Sequence, residues 1–355
     1  MSPPVGGPAV VAFGGGHGLA ASLAALRQVT DTLTAVVTVA DDGGSSGRLR
    51  TELGVLPPGD LRMALAALCG DDDWGRTWSR VVQHRFRSHG DLHGHALGNL
   101  LIVALWEQLG EPVSALDWVG RLLGAQGRVL PMSLVPLEIR AEVLGGDPAR
   151  PDVVETVRGQ VAVATTPGRV VGITLEPSDP PAAPDAVAAI RAADWVVLGP
   201  GSWFTSVLPH LLVPELAAAL VETPARTLVV LNMAPQAGET EGFSAETHLE
   251  VLAAHAPDLR VDAVLVDTGA ALAEPGLVEA AQALGARLVV ADVAVGDGSP
   301  RHEPARLAAA YAALFTAAET GRALVGPGDT AGETAGDIAG DTAGDTAEDR
   351  ERQWR

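Results

Sequence analysis

An apolar run that ends in a string of glycines constrains this chain most. Residues 8–14 (PAVVAFG) lead into Gly14-Gly15-Gly16-His17-Gly18, and residues 18–29 follow with Ala/Leu content at helical spacing. A strand turning tightly into a helix fits that pattern. Glycines let the backbone approach a neighbour closely, and a helix start leaves N–H groups free. A second apolar run, 33–40 (LTAVVTVA), repeats the theme, and similar runs return at 194–198, 227–232, 262–267 and 287–292, each after a helical stretch. Runs that are apolar on both faces belong to a parallel sheet covered on both sides. Residues 60–125 read as mostly helical, with a Gly/His-rich loop at 89–99. Segments near 133–143, 159–164 and 169–175 have β character between Gly/Pro turns, which predicts an antiparallel insert. The fold class predicted is α/β. It is a Rossmann-like, three-layer αβα arrangement with a mostly parallel sheet, as one domain over residues 1–325 with a β/helical insertion over about 70–180.

Composition removes several classes of function. The single cysteine, Cys69, excludes an intramolecular disulfide, a Cys-based zinc finger and a CxxC redox pair. All 24 basic residues are Arg, so a Walker A loop and a Schiff-base enzyme, which both need Lys, are excluded. The net charge of −20 leaves about −15 on residues 1–325 and opposes nucleic-acid binding, which wants a basic face. From Gly328 the chain reads GDTA GETA GDIA GDTA GDTA, an acidic four-residue repeat with too little apolar surface to fold. Residues 326–355 are therefore expected to be a disordered tail. No apolar run approaches the ~20 residues of a membrane span. The N-terminus MSPPVGGPAV lacks the basic region of a signal peptide, so a cytoplasmic location is expected.

The candidate ligand residues lie in loops that follow the apolar runs. Gly16-x-Gly18-x-x-Ala21 fits a dinucleotide fingerprint, with Gly14, Gly15, Gly16, His17 and Gly18 placed to meet a phosphate at a helix start. The second run ends at Asp41-Asp42, followed by Gly43-Gly44-Ser45-Ser46-Gly47-Arg48. This reads as a second Gly/Ser loop whose N–H groups can nest an anion and whose Arg48 can fork onto a phosphate. Two such loops on adjacent strand ends predict a diphosphate. Asp60, after Pro57-Pro58-Gly59, is expected either to cap a helix or to hold a metal or a ligand hydroxyl at the cleft mouth. His93 and His95 do not share a helix face, which argues against a zinc pair; His95 and Asn99 are candidates for polar ligand contacts. Gly199-Pro200-Gly201-Ser202, with Thr205, forms another phosphate-type turn, and Asn232 ends a strand. Arg301 is placed to reach back to the cleft. Open α/β sheets bind ligands at the carboxyl ends of their strands, so these loops converge.

The blocks GGGHGL, VTVADDGGSSGRLR, LPPGDLR, GHALGNLL, GRVLP, VLGPGSWFTSVLP and NMAPQAGET, in order from about Val10 to Arg306, resemble the signature blocks of the CofD-like superfamily, closest to its YvcK-type gluconeogenesis-factor branch. Two departures stand out: His17, where that family more often has Thr, and Ala234 with Ala237, where its pattern is nearer MTQPGET. The resemblance implies a cytoplasmic regulator of cell wall and cell shape during gluconeogenic growth. Such a protein binds a UDP-sugar, typically UDP-N-acetylglucosamine, uses no further cofactor, and acts through a regulatory protein partner still to be identified. A homodimer is implied only by the resemblance.

In that reading the diphosphate sits on the 14–18 and 43–48 loops and the nucleoside or sugar near 199–205 and Asn232, with no catalytic residue. The sister branch implies the alternative, a 2-phospho-L-lactate (or enolpyruvyl) transferase of deazaflavin cofactor synthesis. It would need Mg²⁺, with Asp42 and Asp60 as metal ligands and Trp203 and Phe204 beside the deazaflavin. A nicotinamide dehydrogenase is a third reading, opposed by the GGSSGRLR run after Asp42.

Overall fold

The structure, a computed structural model, describes residues 6–147, 149–235, 240 and 243–320. The tail expected to be disordered, 326–355, lies outside the described residues. Seven strands form the central sheet: β1 (Val10–Gly14), β2 (Leu33–Val37), β3 (Arg128–Pro131), β7 (Trp195–Leu198), β8 (Arg226–Val230), β9 (Ala263–Asp267) and β10 (Arg287–Ala291). Their order is β10-β9-β8-β7-β1-β2-β3, and every pairing is parallel. The α/β class read from the apolar runs is what the chain forms. β1 and β7 are buried along their whole length, as strands covered on both faces must be.

Strand order reverses at β1. The chain steps from β1 outward through β2 to β3, then returns to lay β7 on the other side of β1 and steps outward again to β10. Right-handed crossovers then place the helices of the two halves on opposite faces. Helices Gly59–Ala67 and Pro304–Glu319 both pack on helix Gly16–Leu26. A buried hydrogen bond of 2.8 Å between Ser22 Oγ and Tyr311 OH ties Gly16–Leu26 to Pro304–Glu319. The loops after β1 and β7 leave neighbouring strand ends at this reversal, the place where doubly wound sheets hold ligands.

Residues 70–180, the span expected as an insertion, contain three helices (Asp73–Gln83, Leu97–Leu109, Pro112–Leu123), then β3 in the central sheet. A second, antiparallel sheet of order β5-β4-β6 follows, built from β4 (Glu138–Leu144), β5 (Val154–Arg158) and β6 (Arg169–Glu176). Two local expectations are corrected. The stretch 159–164 is not a strand: Gly159, at φ +90°, ends β5, and Gln160–Ala164 forms a short helix. The run 43–50 is not an open loop either, because Gly44–Leu53 is helical and stops at Gly54 in the left-handed conformation. Its Gly and Ser residues occupy the first helical turn, where weak helix propensity matters least.

Candidate functional site

Three helices begin near one another beyond the ends of β1 and β2, and in none of them does the N-cap residue cap the helix with its side chain. Helix Gly16–Leu26 starts at Gly15, helix Gly44–Leu53 at Gly43 and helix Gly59–Ala67 at Pro58. Helix starts of this kind carry N–H groups without intrahelical partners and the positive end of the helix dipole. The first turn is held by close backbone approach. A Cβ on Gly18 would overlap the Pro200 carbonyl oxygen and stand 2.5 Å from Gly201 Cα, so the β1 and β7 turns touch main chain to main chain.

Asp60 closes the floor of this turn. Its carboxyl accepts the Gly16 N–H, and a Cβ on Gly15 would stand 2.5 Å from its Oδ2. Burial first, and the neighbouring Asp41 second, push the Asp60 carboxyl up to about 7, against the pull of the Gly16 N–H and Arg62. Asp41 Oδ1 accepts the Gly43 N–H at 2.9 Å, and its Oδ2 would lie 2.8 Å from a Cβ on Gly59. Asp41 is thus the carboxylate that bears on Asp60. Asp42, expected beside Asp60, turns away instead: its Oδ1 accepts the Val161 N–H at 3.0 Å. Among the described residues no group of three or more His, Cys, Asp or Glu is placed to hold a metal ion. A Mg²⁺ that kept waters and substrate phosphates as its other ligands would be held by Asp41 and Asp60, the two carboxylates that bear on each other, and not by Asp42, which faces the crossover helix.

The second turn joins four predicted residues. Ser45 Oγ accepts from Asn99 Nδ2 at 3.0 Å and bonds His95 Nδ1 at 3.0 Å. Ser45, His95 and Asn99 are buried, and burial, then the charge of Arg48, lowers the His95 pKa. Arg48 donates to the carbonyls of His93 (2.7 Å) and Asp91 (3.3 Å). Asp42, Gly44, Arg48 and His95 line a cleft of about 580 Å³. Ser46, also buried, faces Gly59.

The third turn is clamped. Asn232 Oδ1 accepts the Gly201 N–H at 2.9 Å, and its Nδ2 donates to the Gly201 carbonyl at 2.7 Å. Both sides of this amide are spent on the turn, so Asn232 shapes the Gly199–Ser202 loop instead of presenting a free amide. Ser202 and Thr205 hydroxyls bond each other. His17, Gly18, Pro200, Gly201, Asn232 and Arg301 line a second cleft of about 600 Å³. Arg301 is exposed there, paired with Asp297 at 2.8 Å and bonded to Ser299 Oγ at 2.9 Å. The predicted residues therefore divide between two clefts, with Gly15, Gly16, Asp41, Ser46 and Asp60 gathered around the floor of the first two turns.

Sequence reasoning passed over Arg62 and His210. Arg62 is only 4% exposed, its charge bears on Asp60, and its Nε has no hydrogen-bond partner among the described residues. It stands in the quoted LPPGDLR block, which was the available signal. His210 is fully buried, edge-on to Phe13 at 5.3 Å between ring centres, with Nδ1 3.3 Å from the Val207 carbonyl. No local motif marks it.

The fold and this row of turns define a doubly wound α/β protein with clefts lined by glycine-rich turns at its topological switch point. The chain belongs to the CofD family: the family described as 2-phospho-L-lactate transferase CofD matches residues 10–298. It is 56% identical over 303 residues to a Mycobacterium tuberculosis protein named "Putative gluconeogenesis factor", covering 84% of this chain and 88% of that one. It is 37% identical over 261 residues to the gluconeogenesis factor of Bacillus subtilis, covering 74% and 79%. The crystal structure of a UPF0052-family protein from Bacillus halodurans is similar at a TM-score of 0.75 and 33% identity, over 87% of this chain and 99% of that one. Within the family, the likeness is to its gluconeogenesis-factor branch.

Proposed function

We propose that this chain is a regulatory protein that binds a nucleotide sugar of the UDP-N-acetylglucosamine class and serves cell-wall and cell-shape control during gluconeogenic growth. The observation that carries the reading is the row of helix starts at the switch point whose N-cap residues make no side-chain cap. The starts at Gly15 and Gly43 would supply N–H groups to the phosphates of one diphosphate, and charge-assisted hydrogen bonds of this kind contribute roughly 1.5–3 kcal/mol apiece. The raised Asp60 carboxyl is partly protonated near neutrality, so it repels a diphosphate less than an ionised carboxylate would. The apolar walls Ala21, Pro200, Met233 and Pro235 of the larger cleft suit the face of a base or sugar. No ligand-facing nucleophile is needed for this role. Action in the cytoplasm, as a homodimer and through a regulatory protein partner, rests on the family resemblance. Among the described residues no single helix is long and apolar enough to cross a membrane.

The description of the matching family favours one rival, a transferase of the 2-phospho-L-lactate type. There Asp41 and Asp60 would hold Mg²⁺, which neutralises charge on the transferring diphosphate. The two readings separate by titration calorimetry of the full chain with UDP-N-acetylglucosamine, with GDP plus Mg²⁺ and with NAD, using Arg48→Ala as a control. The regulator reading expects saturable UDP-sugar binding without turnover, weakened by Arg48→Ala. Silence with the UDP-sugar and Mg²⁺-dependent GDP binding would replace it with the transferase.

A further inference from the structure

Asp42 stands one residue before Gly43, the start of helix Gly44–Leu53, yet its carboxylate is committed to a different part of the molecule. Oδ1 accepts the N–H of Val161, 119 residues further along, and Oδ2 lies where a Cβ on Gly159 would overlap it. Val161 belongs to Gln160–Ala164, the five-residue helix that carries the chain from β5 to β6 of the antiparallel sheet. The contact is reciprocal, since a Cβ on Gly43 would come within 2.9 Å of Val161 Cγ2. Gly43 is thus pressed from above by the crossover helix, while its N–H is held by Asp41. On the other side of the crossover, Gly159 N–H donates to the Ile139 carbonyl at 2.8 Å, and Val163 is fully buried. The short helix is therefore tied to its own sheet at its start, turns Val163 inward, and touches the site through Asp42 and Val161.

We propose that Asp42 is a positioning residue that latches the crossover of the antiparallel sheet onto the Gly43–Ser46 turn, so that this sheet reports an anion bound there. The inference rests on the nucleotide-sugar reading for the identity of that anion. A carboxylate that caps Gln160–Ala164 holds Val161 over Gly43 and sets the direction of the first N–H groups of helix Gly44–Leu53. An anion that tightens those N–H groups also tightens the cover above them. The charge on Asp42 is not what the latch requires; an oxygen acceptor is enough. That separates a latch from a metal ligand, because Asn caps a helix as well as Asp does but is a poor substitute for a carboxylate on Mg²⁺.

The test uses the full chain, UDP-N-acetylglucosamine with and without Mg²⁺, and amide hydrogen exchange across residues 153–166. Asp42→Asn is expected to bind within about threefold of the parent and Asp42→Ala about tenfold more weakly, the loss expected for a missing cap, both independently of Mg²⁺. The ligand should slow exchange at 159–165 in the parent and in Asp42→Asn but not in Asp42→Ala. Equal losses in both variants that appear only with Mg²⁺ would overturn the latch in favour of a metal ligand, and so would unchanged binding and exchange in Asp42→Ala. If the parent binds no UDP-sugar, the functional reading fails by itself. The latch is then judged on the ligand-free proteins: faster exchange at 159–165 in Asp42→Ala upholds it, and equal exchange refutes it.

Discussion

Gly18 shows how much of the site is decided by one missing methyl group. Its Cα faces the Pro200 carbonyl and the Gly201 Cα, both main chain, so neither can swing aside to admit a Cβ. Gly18→Ala should therefore cost about 1–3 kcal/mol in unfolding free energy, the usual range for overpacking a rigid contact, and weaken UDP-sugar binding more than tenfold. Gly44 is the comparison. It has nothing within 4 Å of a Cβ and needs only its left-handed φ of +49°, so Gly44→Ala should cost about 1 kcal/mol. Urea unfolding of both variants checks the order, and equal losses would show that the β1 and β7 turns do not touch as described. The glycines that matter were visible as a string in the sequence. Which of them faces another backbone was not, because Pro200 lies 182 residues away. The same distance problem hid the carboxylate pairing. Asp41 and Asp42 are indistinguishable as neighbours in a sequence, and only the position of Val161 decides that Asp41 serves Asp60 while Asp42 serves the crossover helix.

Elements were legible in proportion to how local their causes are. β1, β2, β7, β8, β9 and β10 follow from apolar runs, which any strand buried on both faces must show. Helix Leu97–Leu109 begins two residues before the expected end, at 99, of the Gly/His-rich loop. Helix Gly44–Leu53 was hidden because its first turn is GSSG, a composition that reads as a loop, and its helical character comes from Arg48–Leu53 and the Gly54 stop. Helix Gln160–Ala164 was hidden for the opposite reason. QVAVA alternates like a strand, and a glycine at φ +90° together with a cap from Asp42 overrides that pattern. The row of three helix starts is an element-scale property that no single motif states: the motifs at Gly14–Gly18 and Gly43–Arg48 read as anion turns, and the one at Pro57–Asp60 as a cap or a metal or hydroxyl contact.

At the scale of the whole molecule, the order of apolar runs sufficed for the class of fold, while the reversal at β1 appears only in the strand order. Acid stability is also a property of the whole fold, and His210 is its clearest contributor. Burial lowers its pKa to about 4, the hydrogen bonds to backbone carbonyls opposing. Between the ordinary histidine value and about 4 the unfolded chain takes up a proton that the folded chain refuses, so stability falls as pH falls through that window. His248 and His302 are lowered by burial in the same direction. His210→Phe keeps the edge-on contact with Phe13 and removes one titration, so its denaturation midpoint should fall less than the parent's between pH 7 and pH 4.5. A slope equal to the parent's would mean that His210 is not held neutral. The place of the diphosphate can be read from a crystal structure of the full chain with UDP-N-acetylglucosamine. Phosphate oxygens should lie within hydrogen-bonding distance of N–H groups in both the Gly16–Gly18 and the Gly44–Ser46 turns. A diphosphate bound away from both turns would show that these helix starts do not form the anion site.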